Sequence, residues 1–103
     1  MPKGYWIARV DVSDAEAYKE YVAANAVAFA KFGGRFLVRG GKSEAVDGAS
    51  RQRNVVIEFP SYDAALACWN SPEYQRAYKL RVNASVGDTV VVEGYDGPQP
   101  RAA

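Results

Sequence analysis

Histidine is absent from the 103-residue chain. No imidazole can therefore act as a general base, a metal ligand or an axial haem ligand. Cysteine occurs once, at Cys68. A lone thiol excludes an internal disulfide and a thiolate zinc site, and it fits a reducing compartment such as the cytoplasm. An excess of one charge is missing too, since 13 basic residues face 12 acidic ones. That balance removes the main electrostatic reason to expect nucleic acid or an anionic membrane as a partner. No stretch approaches the roughly 18 apolar residues of a membrane span. The opening Met1-Pro-Lys-Gly-Tyr-Trp enters an alternating segment at once, so no signal peptide is expected. Linkers, repeats and low-complexity blocks are lacking. One domain over 1–95 is expected, followed by a flexible tail over 96–103 rich in breakers.

What is present reads as a folding globular sequence, 49% apolar and 24% charged. Residues 5–12 alternate as a strand. Ser13, with Glu16 three residues later, predicts a capping box, and a helix follows over 14–32 with Tyr18, Val22, Phe29 and Phe32 on one stripe. Gly33-Gly34 supplies a left-handed stop. A second strand covers 35–39. Asp47-Gly48 signals a two-residue hairpin, which pairs Phe36 with Phe59, Val38 with Ile57, Leu37 with Glu58 and Arg39 with Val56. The third strand covers 51–59, and Pro60 ends it. Ser61 caps a helix running to Trp69. Ser71-Pro72 starts another that runs to about Val82. The last strand is 88–95.

The order βαββαβ predicts an α+β ferredoxin-like sandwich, with helices on one face of a four-stranded antiparallel sheet. The helix-facing side is expected to hold Trp6, Ala8, Val10, Phe36, Val38, Val55, Ile57, Phe59, Val90 and Val92. The other side is expected to hold Tyr5, Ile7, Leu37, Val56 and Val91, with Arg9, Arg35, Arg39, Glu58 and Glu93 among them. A face this apolar predicts a covering partner. Two-fold packing against a second copy satisfies it most simply, because opposite charges can pair across the seam.

Four runs carry a resemblance. Lys3-Gly-Tyr-Trp-Ile, Phe32-Gly-Gly-Arg-Phe-Leu-Val-Arg-Gly-Gly, Val56-Ile-Glu-Phe-Pro-Ser-Tyr and Trp69-Asn-Ser-Pro-Glu-Tyr-Gln resemble the domain-of-unknown-function family thirteen-thirty, over residues 3–95. That family lies in the dimeric α/β-barrel superfamily. The resemblance therefore implies a homodimer whose two sheets face each other as a barrel, and it brings no established activity. The superfamily includes cofactor-free monooxygenases, haem-degrading enzymes, lactone isomerases and stress-response proteins. The haem branch uses a histidine ligand that this chain lacks. Superfamily membership does not fix the chemistry.

Several residues are candidates for a ligand site, each with a structural alternative. Asn25 falls on the apolar stripe of the first helix, where a buried amide needs a partner; it either makes a structural contact or lines a cavity. Tyr21, four residues earlier, can share that cavity or serve as a core aromatic. Arg39 ends a strand beside two glycines and can hold an anion, or pair with Glu58 or Glu93 at a dimer seam. Arg81 follows Tyr74 by seven residues with Tyr78 between them, a cation beside two phenols or a snorkelling surface residue. Trp69 is a core plug or a pocket wall, and Glu58 an ion-pair member or a proton acceptor. Cys68 has no partner that would make it a thiolate and reads as a small core residue. No cofactor or metal is expected. The sequence supports a homodimer with a pocket in each subunit for a small anionic or phenolic molecule, acting as a cofactor-independent enzyme or only as a binder, or else a structural or interaction module with no ligand. An RNA-recognition fold shares the strand order, but strand three offers Asn54, Val56 and Glu58 where stacking aromatics are needed.

Overall fold

The computed structural model describes residues 2–102. Met1 and Ala103, the outer ends of the expected domain and tail, lie outside the described residues. The elements run β1 (Gly4–Val12), α1 (Ala15–Lys31), β2 (Arg35–Arg39), β3 (Arg53–Phe59), α2 (Tyr62–Asn70), α3 (Pro72–Arg81) and β4 (Ser85–Glu93). The sheet order is β2-β3-β1-β4, with every neighbouring pair antiparallel. This is the ferredoxin-like sandwich, with all three helices covering one face. Residues 94–102 form no helix or strand.

Local chemistry sets most boundaries. The helix α1 begins one residue later than the expected capping box. The Ala84 carbonyl accepts from both the Ser13 and Asp14 amides, at 2.8 and 3.1 Å. Ser13 therefore has no free N–H for Glu16 to reach, and Asp14 caps instead by accepting from Ala17 at 3.2 Å. At its other end Gly33 takes φ +74°. Gly34 N–H donates to Phe29 and Gly33 N–H to Ala30, the double bond of a Schellman stop. Ser61 and Ser71 cap α2 and α3 as expected. Ser71 does more, since its hydroxyl accepts from Tyr74 N–H at 3.1 Å and donates to the Cys68 carbonyl at 2.7 Å. It thereby locks the corner between the two helices.

Three expectations about the sheet are corrected. First, Asp47-Gly48 does not form a two-residue hairpin; it lies in a connection over 40–52. Gly40 takes φ +66° and its N–H donates to Asn54, which turns the chain out of the sheet early. Second, β2 pairs with β3 in a different register. Phe36 meets Ile57, not Phe59, and a bulge at Leu37 then sets Val38 opposite Val56 and Arg39 opposite Val55. The extra residue reverses the faces beyond it. Val38 turns to the open side, and Arg39 joins Val55 on the helix side. Third, β4 has the opposite parity. Trp6 meets Val91, and Ile7 meets Val90. Thr89-Val90-Val91-Val92 has no polar alternation from which parity could be read. Val91 packs on the core, Val90 and Val92 face outward, and Glu93, opposite Gly4, shares the helix side.

These registers align rows across the sheet. On the helix side Phe36, Ile57, Trp6 and Val91 form one row, and Arg39, Val55, Ala8 and Thr89 the next. On the open side Val38, Val56, Ile7 and Val90 lie directly opposite one another across all four strands. The neighbouring open row is Arg35, Glu58, Tyr5 and Val92, in which Arg35 pairs with Glu58 at 3.1 Å. The core between sheet and helices is aromatic. Trp6 contacts Phe29, Phe59, Trp69 and Tyr74 with ring centroids 4.8–5.6 Å apart, and its indole N–H donates to the Ala65 carbonyl at 2.8 Å.

Because Ser71 supplies both the cap of α3 and the link to α2, Ser71→Ala should lower stability by about 1–2 kcal/mol. Denaturant unfolding checks this. No change in midpoint would contradict the role assigned to the cap.

Candidate functional site

The helix α1 turns Tyr18, Tyr21, Asn25, Ala28 and Phe29 toward the sheet. The helix α3, set by its Ser71 cap, turns Tyr74, Ala77 and Arg81 inward beside them. The two stripes and the inner rows of all four strands line a narrow cavity of about 30 Å³. Its walls include Trp6, Val10, Phe29, Phe36 and Ile57, and its polar groups come from Tyr18, Tyr21, Asn25, Arg39, Arg53, Tyr74, Arg81 and Thr89. No acidic side chain lines it. The volume suits a water or two. A groove of about 360 Å³ shares Tyr18, Val22 and Arg53 with the cavity and adds Val12, Ala15 and Lys19.

Arg81 is the dominant charge. It is only 8% exposed. Among the described residues no carboxylate forms an ion pair with it. Its guanidinium stands 5.4 Å from the Tyr21 ring centre and 4.8 Å from that of Tyr78, two cation–π contacts. Its Nε–H donates to the Tyr74 hydroxyl at 3.4 Å. Burial works against the cation, but the Tyr74 and Tyr21 phenols outweigh it and raise the pKa of Arg81, so the group stays charged. The Tyr21 and Tyr74 hydroxyls share a hydrogen bond of 3.0 Å. Burial pushes the Tyr74 phenol well above the ordinary tyrosine range, with Tyr21 adding to the effect and Arg81 opposing it. Tyr74 is therefore a neutral hydroxyl at physiological pH, not a base.

Two polar atoms at the cavity are left without partners. Asn25 is 5% exposed, and its Oδ1 accepts no hydrogen bond. Arg53 Nε is likewise buried without an acceptor, while its guanidinium lies 5.8 Å from the Tyr18 ring centre. Arg39 lies 4.1 Å over the Phe36 ring. Its position on the helix side comes from the bulge, and neither Glu58 nor Glu93 pairs with it.

Of the residues singled out from sequence, Tyr21, Asn25, Arg39, Tyr74 and Arg81 meet at this cavity. Glu58 and Trp69 do not. Glu58 lies on the open face, where it pairs with Arg35 and accepts from the Tyr5 hydroxyl at 3.3 Å. Trp69 stacks within the core against Tyr74 and Tyr78, at 5.0 and 5.6 Å. Arg53 and Tyr18 belong to the site and were not among the candidates. Arg53 was readable, since it falls in phase with Val55, Ile57 and Phe59. Cys68 is buried, and its thiol is pushed up to about 12 by burial and by Glu73, which makes it inert.

The chain belongs to the family described as "Domain of unknown function (DUF1330)", whose model matches residues 3–95. Solved structures share the fold at low identity. A protein of unknown function from Rhodopseudomonas palustris is 21% identical, with a TM-score of 0.71 over 96% of this chain and 85% of that one. SnoaB, a cofactor-independent oxygenase from Streptomyces nogalater, is 14% identical, with a TM-score of 0.62 over 97% of each chain. A dimeric ferredoxin-like protein of unknown function from Thermobifida fusca is 16% identical, with a TM-score of 0.58 over 89% of each chain. These likenesses show the fold. No curated protein matches the sequence.

Two measurements follow from the geometry. An unpaired buried amide oxygen costs about 1–3 kcal/mol, so Asn25→Leu should leave the ligand-free protein as stable or raise its stability by about 1 kcal/mol. A large loss would mean that Asn25 is a structural contact. Burial also raises the Tyr18 phenol above the ordinary tyrosine range. For Tyr18 and Tyr74 the folded pKa exceeds the unfolded one, so their stabilising contribution is complete below about pH 10 and is lost as pH rises further. Ultraviolet titration should show at least two of the seven tyrosines still protonated above that pH until the chain unfolds. A single free-phenol transition in the folded protein would contradict the burial.

Proposed function

We propose that the chain is a homodimer in which each subunit binds a small anionic or phenolic molecule between α1, α3 and the sheet. One observation carries the ligand: a buried guanidinium at Arg81 without a carboxylate. Buried cations are normally paired, because leaving water costs several kcal/mol per ion. Here Arg39 and Arg53 join Arg81 at a cavity lined by no acidic residue among the described residues, which supports a counter-charge brought by a ligand. The apolar walls and a few convergent polar groups are the usual make-up of a small-molecule site. The lining holds phenols, guanidiniums and an amide, but no carboxylate, imidazole or thiol. Binding is therefore the activity these residues support directly. A catalytic version would depend on acidity or reactivity supplied by the substrate, in keeping with the cofactor-independent chemistry in the name of SnoaB.

The dimer is supported by the open face. Ile7, Val38 and Val90 are 40%, 42% and 53% exposed and, with Val56, form one apolar row across the sheet. A contiguous row of this kind, flanked by the Arg35–Glu58 pair, suits a second copy in two-fold contact. The small cavity volume favours a second reading, a structural or stress-related homodimeric module whose cavity holds only water.

Light scattering should give twice the 11.2 kDa of one chain, and Ile7→Asp should give a folded monomer. A monomeric wild type would end the dimer reading. Benzoate should raise the melting temperature of the wild type and leave Arg81→Met unchanged. No shift in the wild type with any small acid or phenol would favour the structural module.

A further inference from the structure

We infer that the ligand is a hydroxy acid: one apolar molecule carrying both a carboxylate and a hydroxyl. This rests on the anion-binding reading of the same cavity and follows from counting its unused hydrogen-bonding groups. Arg81 spends its Nε–H on Tyr74 and lies within reach of the Tyr21 hydroxyl, and its two terminal nitrogens carry more N–H groups than these phenols accept. Tyr21 and Tyr74 share a single hydrogen bond. Whichever hydroxyl donates it, the other phenol proton is left over. These are all donors, and a carboxylate is the group that accepts from them.

Asn25 Oδ1 has the opposite need. It is a buried acceptor with no donor, and a carboxylate cannot satisfy it. An acid alone would leave this oxygen unpaired, and a phenol alone would leave the guanidinium without its counter-ion. A ligand with both groups completes the cavity without relying on water. Its apolar body has room in the adjoining groove beside Val12, Ala15 and Val22.

The test is isothermal titration of the wild type with benzoate, phenol and the 2-, 3- and 4-hydroxybenzoates. At least one hydroxybenzoate should bind about tenfold more tightly than benzoate, the scale of one well-made hydrogen bond in a buried site. In Asn25→Leu that advantage should fall below about twofold, whatever the variant's absolute affinity for benzoate. Asn25→Ala, with folding checked by circular dichroism, serves if the leucine variant does not fold. Benzoate binding as tightly as every hydroxybenzoate would overturn the hydroxyl assignment and leave the anion site standing. So would an advantage that survives both Asn25 variants. Failure of every acid to bind the wild type would overturn both.

Discussion

The site is organised around one costly placement, a guanidinium buried among aromatic rings. Arg81 stays charged because Tyr74 and Tyr21 stabilise it and because Tyr21 and Tyr78 present their faces to it. Much of the surrounding architecture positions those rings. The Ser71 cap fixes the start of α3, and two turns of helix then carry Tyr74 to Arg81. The Schellman stop at Gly33 ends α1 so that its inner stripe lies opposite. Trp6 ties the sheet to α2 through the Ala65 carbonyl and places an aromatic wall beneath Tyr74. Phenols and rings stabilise a cation, but they do not neutralise it. The result is a candidate site with three arginines, two linked hydroxyls and an orphaned amide oxygen.

The second organising feature is the apolar row on the far face. Two corrections to the expected strand faces strengthen it. Val90 replaces Val91, and Val38 joins through the bulge, so the row runs unbroken from edge to edge. The same bulge removes Arg39 from that face and adds it to the cavity. One inserted residue thus makes the open face more apolar and the pocket more basic.

The element order was legible because each boundary has a local chemical cause. Ser61, Ser71-Pro72 and Gly33-Gly34 act within a few residues of themselves. The cap at Asp14 was missed because its reason is distant, a carbonyl at Ala84 that claims the Ser13 amide. The hairpin register was missed for a related reason. Asp47-Gly48 is a strong turn signal only when the strands reach it, and Gly40 sends the chain out of the sheet first. A bulge at Leu37 leaves no mark in the alternation of so short a strand. In the site, the helical spacings 21/25 and 74/81 were readable and brought four residues together. Arg39 reached the cavity by the bulge, for a reason the sequence does not display. Glu58 and Trp69 were candidates by residue type alone, and pairing with Arg35 and stacking against Tyr74 account for them.

The most direct test is a crystal structure of the protein grown with 4-bromobenzoate, with data collected at the bromine absorption edge. The account predicts the carboxylate within hydrogen-bond distance of the Arg81 guanidinium and the bromine signal in the groove beside Val22. A crystal grown at saturating 4-bromobenzoate that shows only water beside Arg81, or that puts the bromine elsewhere on the molecule, would contradict it.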